Sequence, residues 1–106
     1  MIKEFRYRVK VRQQIKTLPR KERVAPELDS SKKYYISFGS NWAYPCFLHE
    51  IVNEFDRTEV RVKIKVKEQY AYFRQNGKMT YDPYEEHLVY ANEIGLTPED
   101  AVRNSV

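Results

Sequence analysis

The sequence predicts an α+β domain, with a small antiparallel sheet of about four strands and two or three helices packed on one face. Two segments, residues 5–12 and 59–67, alternate apolar and charged side chains at nearly every position, which is typical of half-buried strands. Asn76-Gly77 separates two further segments with strand character and is a strong hairpin signal. Two other segments carry apolar residues at helical spacing.

Length and composition indicate one folded unit spanning residues 1–106. The chain is 42% hydrophobic and 32% charged, which is typical of a folded, water-soluble domain. No apolar run is long enough to cross a bilayer, and the N-terminal residues lack the apolar core of a secretory leader. Cys46 is the one cysteine, so no intrachain disulfide can form. We therefore expect a cytoplasmic protein without membrane contact.

The N-terminal third is predicted to hold a strand, a long loop and a second strand. In the strand over 5–12, one face carries Phe5, Tyr7, Val9 and Val11, and the other carries Arg6, Arg8, Lys10 and Arg12. Residues 17–33 contain two prolines and many cations and read as a long basic loop that includes Arg20 and Lys21. Residues 34–38 then form a strand that ends at Gly39.

The middle of the chain predicts a helix followed by a basic strand. The helix begins near Ser40 or Asn41, and its apolar stripe comprises Phe47, Leu48, Ile51, Val52 and Phe55. In the strand over 59–67 the core face carries Val60, Val62, Ile64 and Val66. Its opposite face carries Arg61, Lys63, Lys65 and Lys67.

The C-terminal third predicts a hairpin and two helices. The hairpin joins residues 70–75 to 78–82 through Asn76-Gly77. A helix over 83–94 would bury Leu88, Tyr90 or Ala91, and Ile94, and end at Gly95. Thr97 and Pro98 are typical of a helix start and predict a short helix over 98–104.

The charge is distributed unevenly along the chain. Residues 1–33 contain eleven Lys/Arg and four Asp/Glu, a net charge of +7. Residues 34–78 carry +2 and residues 79–106 carry −5, and the three values add to the overall +4. A basic first third in so short a chain suggests an anionic partner, although the two ends could also neutralise each other.

The two basic strands are the main functional signal. If both belong to one sheet and cover one core, their basic faces point the same way and gather eight cations on one surface. Such a surface suits the closely spaced phosphates of nucleic acid, DNA more than RNA. The loop and the hairpin tip would extend it. The predicted contacts are Arg6, Arg8, Lys10, Arg12, Arg20, Lys21, Arg61, Lys63, Lys65, Lys67, Arg74 and Lys78.

Three alternatives compete with nucleic acid for this surface. The acidic segment from Asp82 to Glu93 would lie across it, either within the chain or from the second subunit of a homodimer. In the second alternative, the lysines only protect a sheet edge from aggregation. Finally, the protein would be an interaction module, an inhibitor or assembly subunit, that docks an acidic protein partner on the same face.

The sequence carries no complete catalytic or cofactor motif. His49-Glu50 begins like a zinc-protease motif, but Asn53 stands where the second histidine ligand belongs. Cys46 lies one helical turn before His49, which would activate a thiol, although a small buried hydrophobe is the simpler interpretation. No phosphate-cradling glycine motif is present. We therefore expect a regulatory or accessory protein without enzymatic activity, cofactor or metal.

The residues before the last helix also have the pattern of a helix-turn-helix turn. Ala91, Gly95 and Leu96 have the small, glycine and apolar character of that turn, and the Asn76-Gly77 hairpin would serve as a wing. Acids at the start of the second helix would face the phosphates of DNA, so a plain helical hairpin is the alternative interpretation.

Overall fold

The computed structural model describes residues 8–54, 57–66 and 68–105, and these form a mostly β chain with one short α-helix. Within this part of the chain, no helix is long and apolar enough to cross a membrane. Three 3-10 helices comprise Arg20–Glu22, Glu68–Tyr70 and Ala91–Glu93, and α1 is Pro98–Arg103. The strands are β1 Val9–Lys10, β2 Lys33–Ile36, β3 Trp42–Glu54, β4 Arg57–Lys65, β5 Tyr72–Gln75, β6 Lys78–Tyr81, β7 Tyr84–Tyr90 and β8 Ile94–Gly95.

The predicted antiparallel sheet is confirmed, with more strands than expected. Six strands form the main sheet in the order β7-β4-β3-β2-β8, and β1 pairs with the start of β3. The edge strands β7 and β8 are joined only by the 3-10 helix Ala91–Glu93. Four residue steps reach about 14 Å at most, whereas in a flat sheet these strands would lie about 19 Å apart. The sheet therefore curls around one of its faces.

The concave face of the curled sheet holds the main core. Tyr34 and Ile36 of β2, Cys46 and Leu48 of β3, and Ile94 of β8 are buried there. The strand over 59–67 was predicted to bury Val60, Val62, Ile64 and Val66, and all four are fully buried. The predicted alternation of β4 is thus confirmed, and its cations point away from this core.

A second, smaller core lies on the opposite face of the sheet. Val11 and Ala43 pack there against Ala101 and Val102 of α1. Because Ala43 alternates with Tyr44, Cys46 and Leu48 along β3, it faces the other side of the sheet. The helix start was predicted correctly, since Thr97 Oγ1 accepts a hydrogen bond from the Asp100 amide at 3.1 Å.

The prediction of a helix in the middle of the chain was wrong, because Trp42–Glu54 is the long central strand β3. Its register against β4 shifts between Leu48 and Glu50, which marks a bulge. An extra residue in a strand interrupts the alternation of two, so the apolar residues after it come three positions later instead of two. That spacing imitates one helical turn.

The prediction of a helix over 83–94 was also wrong, because this segment forms the edge strand β7 and a single 3-10 turn. β7 carries polar side chains at two positions of its inner side and an exposed leucine on its outer side, the reverse of an ordinary amphipathic strand. Glu85 and His87 are paired with Ile64 and Val62 and share their inward side, whereas Leu88 is 49% exposed on the outside. Polar residues on the inner side concealed the strand pattern. Gly95, predicted to end this helix, belongs to β8 instead.

The first predicted strand is only partly present in the described residues. β1 comprises Val9–Lys10, while Phe5, Arg6 and Tyr7 lie outside the described residues. Val11 is buried as predicted, but Val9 is 40% exposed, so its assignment to the core was wrong. The loop over 17–33 is irregular apart from its 3-10 turn. It is tied to the sheet where the Tyr34 hydroxyl donates to the Glu27 carbonyl at 2.6 Å.

The predicted hairpin is confirmed and stands apart from the main sheet. Asn76 and Gly77 both have positive φ, 52° and 76°, as a type I′ turn requires. Within the described residues, β5 and β6 pair with each other, and β5 also contacts the 3-10 helix Glu68–Tyr70. Seven of their eight residues are exposed. The hairpin therefore projects from the domain.

Candidate nucleic-acid interface

The outer face of β4 carries mixed charges. Arg61 Nε lies 3.1 Å from Glu50 Oε2, and Arg61 Nη1 lies 4.0 Å from Glu86 Oε2. Lys63 is directly opposite Glu86 in the register of β4 and β7. The acids of β3 and β7 thus offset part of the charge of β4, close to the expected alternative in which the acidic C-terminal part neutralises the basic strand.

The two basic strands do not share one surface. β1 pairs with Trp42 and Ala43 at the start of β3, whereas β4 pairs with Cys46–Glu54. Lys10 is opposite Trp42, on the side of the sheet to which Cys46 points, and Lys63 is opposite Phe47 on the other side. The premise of a single core was wrong, because the apolar side of β1 contacts the second core.

Arg8 and Lys10 are exposed and lie over the ring of the half-buried Trp42. The Arg8 guanidinium lies 3.8 Å from the centre of the Trp42 ring, and Lys10 Nζ lies 5.7 Å from it. Among the described residues, no acid lies within ion-pairing distance of Arg8, Lys10 or Arg12. A guanidinium stacked on a ring keeps its edge N–H groups available for a phosphate oxygen.

The hairpin adds a second surface that combines cations and aromatic rings. Tyr72 and Tyr81 are 52% and 51% exposed, and their ring centres lie 4.8 Å apart. Arg74 is opposite Met79 on the same side, while Lys78 is opposite Gln75 on the other side with Phe73. Like the cations at Trp42, Arg74 and Lys78 have no ion-pair partner within the described part of the chain.

Both surfaces belong to the same end of the sheet. Ile64 of β4 is opposite Cys46 of β3, so β4 ends beside the start of β3, where β1 is paired. The chain enters the hairpin just beyond this point, and the Val66 amide donates to the Pro83 carbonyl at the base of the hairpin. We call this region the cationic end, defined by Arg8, Lys10, Arg12, Trp42 and residues 72–81.

The other predicted contacts are distributed elsewhere. Arg20 and Lys21 line a pocket at the opposite end of β4, beside Thr58 and Tyr90. Arg6 and Lys67 lie outside the described residues. The sequence interpretation did not predict Tyr90 or Asn92 as binding residues, because the assignment of 83–94 to a helix gave no reason to place them near the basic loop.

The proposed pair of Cys46 and His49 does not form. Cys46 is buried in the main core, and burial raises the pKa of its thiol to about 12. His49 is exposed on β3, 3.8 Å from Glu86. Because these residues lie on an extended strand, the one-turn proximity of a helix is lost. Within the described residues no three metal-binding side chains cluster, and His49-Glu50 lies on a strand.

The helix-turn-helix interpretation is also wrong. Residues 91–93 form a 3-10 turn, Ile94–Gly95 is a strand, and one α-helix follows. That helix is six residues long and buries Ala101 and Val102 against the sheet. No pair of helices exists in this segment to enter a DNA groove.

Comparisons with protein-family models, with curated proteins and with solved structures give no match to this chain. The functional argument therefore depends on the side chains and their surroundings.

Proposed function

We propose that this protein binds nucleic acid at the cationic end, with a preference for single strands. The observation that carries the proposal is the position of the exposed Arg8 guanidinium, 3.8 Å from the centre of the half-buried Trp42 ring, at the end of the sheet where the chain enters the hairpin. Cations interleaved with exposed rings are the usual composition of surfaces that bind single strands, because phosphates and unpaired bases are recognised together.

In this arrangement the cations bind phosphates and the rings accept bases. Arg8, Lys10 and Arg12 contact the strand at the sheet, and Arg74 and Lys78 contact it on the hairpin. Phe73 and Tyr81, which are 39% and 51% exposed, offer ring area for stacking. Stacking on an aromatic side chain contributes about 1–3 kcal/mol per base and tolerates any base, so we expect weak sequence preference.

The cations of β4 contribute less than the sequence suggested. Arg61 is offset by Glu50 and Glu86, so releasing it to a phosphate would leave those carboxylates unpaired. Lys63 and Lys65 lie beside Glu86 and Tyr84 in the register of β7. We assign these residues a supporting, long-range electrostatic role.

The experiment measures the fluorescence anisotropy of a labelled single strand with wild type and with double variants in which two cations are replaced by neutral glutamine. We expect R8Q/K10Q and R74Q/K78Q each to weaken binding about tenfold or more, since each removes two phosphate contacts. The matched control is R61Q, which removes one cation of the same chemistry from an already neutralised pair. We expect R61Q to change affinity less than about threefold.

An interaction module for an acidic protein is the second candidate, because the hairpin exposes apolar groups on both sides. Met79 is 64% exposed and Phe73 is 39% exposed. A folded protein that retains no single strand at low salt, or variants R8Q/K10Q and R74Q/K78Q that bind like wild type, would refute the nucleic-acid proposal. The interaction module would then become the leading function.

A further inference from the structure

A pocket of about 600 Å³ lies at the other end of β4 from the hairpin. It opens between the basic loop and the end of β7, and its polar lining comprises Arg20, Lys21, Arg23, Thr58, Tyr90 and Asn92. Thr58, the second residue of β4, and Lys65, its last, lie about 23 Å apart along the strand. The volume is in the range of pockets for small molecules, about 300–1,000 Å³.

The lining is cationic, and two of its three cations are held in place. Arg23 Nε donates to the Leu18 carbonyl at 3.0 Å, while its Nη1 is buried and has no hydrogen-bond partner. The Arg20 guanidinium lies 5.3 Å from the centre of the Tyr90 ring. Among the described residues, none of these cations has a carboxylate within ion-pairing distance. Burying a charged nitrogen without a partner costs free energy, and an anion in the pocket would offset that cost.

The rest of the pocket lining favours a ligand that has a hydrogen-bond donor and an apolar surface in addition to negative charge. Asn92 Nδ2 donates to the Arg20 carbonyl at 3.5 Å, and its Oδ1 is buried without a partner. This oxygen lacks an N–H or O–H donor. Ala25, Ala91 and the Tyr90 ring supply an apolar wall. A complementary ligand therefore combines a multiply charged anion, a flat apolar body and a hydrogen-bond donor.

We propose that this pocket binds a nucleotide phosphate. The phosphate contacts Arg20, Lys21 and Arg23, and an amino group of the base donates to Asn92 Oδ1. Arg23 Nη1 and Asn92 Oδ1 are both buried, so each of these side chains must rotate toward the ligand on binding. The same chemistry occurs in a free mononucleotide and in the phosphorylated end of a strand. The proposal does not depend on nucleic-acid binding at the cationic end.

The test is isothermal titration of the full chain with AMP, inorganic phosphate and adenosine. We expect AMP to bind more tightly than either fragment. We expect K21Q and R23Q each to weaken AMP about tenfold, the effect of one charge-assisted hydrogen bond. The matched control is K16Q, an exposed lysine of the same loop region, which should bind AMP like wild type. Thermal melts verify folding, and exposed Lys21 keeps the test valid if R23Q unfolds.

Two further variants separate this site from the cationic end. N92A should weaken AMP but not inorganic phosphate, because it removes only the acceptor for the base. R74Q/K78Q should leave AMP binding unchanged. A 5′-phosphorylated dinucleotide that binds more tightly than AMP identifies a strand end as the ligand, and equal or weaker binding identifies the free nucleotide. No heat from AMP at about 10 mM, equivalent to a free energy weaker than about −2.7 kcal/mol, would overturn the proposal, as would equal affinity of K21Q and K16Q.

Discussion

Cys46 shows how a single residue changes its meaning with its secondary structure. In the predicted helix it faced His49 as a possible nucleophile. On β3 it is buried in the main core, and burial raises the pKa of the thiol from 9.0 to about 12. The same burial closes the thiol off from solvent, so we expect Cys46 to be alkylated slowly in the folded protein and much faster after unfolding.

The raised pKa of Cys46 predicts a loss of stability in alkali. Above pH 9.0 the unfolded thiol ionises while the folded thiol keeps its proton, so the free energy of unfolding falls as pH rises toward 12. The expected slope is about 1.4 kcal/mol per pH unit. Chemical denaturation of wild type and C46A between pH 8 and 11 isolates the contribution of Cys46, because both proteins contain all the other titrating groups. Parallel pH profiles for the two proteins would contradict the assignment.

Val62 and Lys63 test the register of β4 at single-residue resolution. Val62 is fully buried and Lys63 is half-buried on the opposite side. V62K should lower the free energy of unfolding by several kcal/mol, about 3 or more, because it buries an unpaired charge. The control K63Q should change it by about 0.5 kcal/mol or less. Urea titration measures both, and similar losses in the two variants would show the register to be wrong.

At the scale of elements, the sequence was informative where each strand has one apolar and one polar side. β4 has that property and was predicted correctly, whereas the hairpin was predicted from its Asn76-Gly77 turn. β3 has a bulge after Leu48, and β7 carries Glu85 and His87 on its inner side, so neither shows a clean alternation. Helical spacing therefore fitted the apolar residues of β3 and β7 better than the alternation of a strand did. The abundance of β-branched and aromatic residues in these segments nevertheless favoured a sheet.

The candidate site was predictable in its residue types and not in its grouping. The cations and aromatic residues are evident in the sequence, but their neighbours depend on pairings between distant strands. Glu50 could not be placed beside Arg61 while residues 41–55 were assigned to a helix. The second core, which turns Lys10 and Lys63 to opposite sides, depends on contacts between β1 and α1 that no local pattern reveals.

Gly95 tests the packing of α1 on the sheet. A Cβ at this position would lie 2.6 Å from Asp100 Cβ and 2.7 Å from the Ala101 amide nitrogen. G95A should therefore destabilise the fold by about 1–3 kcal/mol, as overpacking does. The companion variant G77A, in open space on the hairpin, should cost about 1 kcal/mol through its positive φ. If thermal unfolding shows that G95A is no worse than G77A, the close approach of α1 to β8 is not present.

At the scale of the whole molecule, the curled sheet separates two cationic regions. The net charge of +4 is not spread over one face. One group lies at the cationic end with Trp42 and the hairpin, and the other lines the pocket at the far end of β4. The acids of β3 and β7 offset part of the charge on the outer face between these two regions. This distribution favours local recognition at two places over wrapping a duplex across the sheet.

The salt dependence of single-strand binding tests the central claim most directly. If Arg8, Lys10, Arg12, Arg74 and Lys78 neutralise phosphates, the log–log slope for a single strand is about −3.5. Raising salt from about 50 to 200 mM should then weaken binding roughly 130-fold. Each neutralised residue in R74Q/K78Q should make the slope shallower by about 0.7, while R61Q should leave it unchanged. A flat salt response, or a slope that R61Q reduces as much as R74Q/K78Q does, would contradict binding at the cationic end.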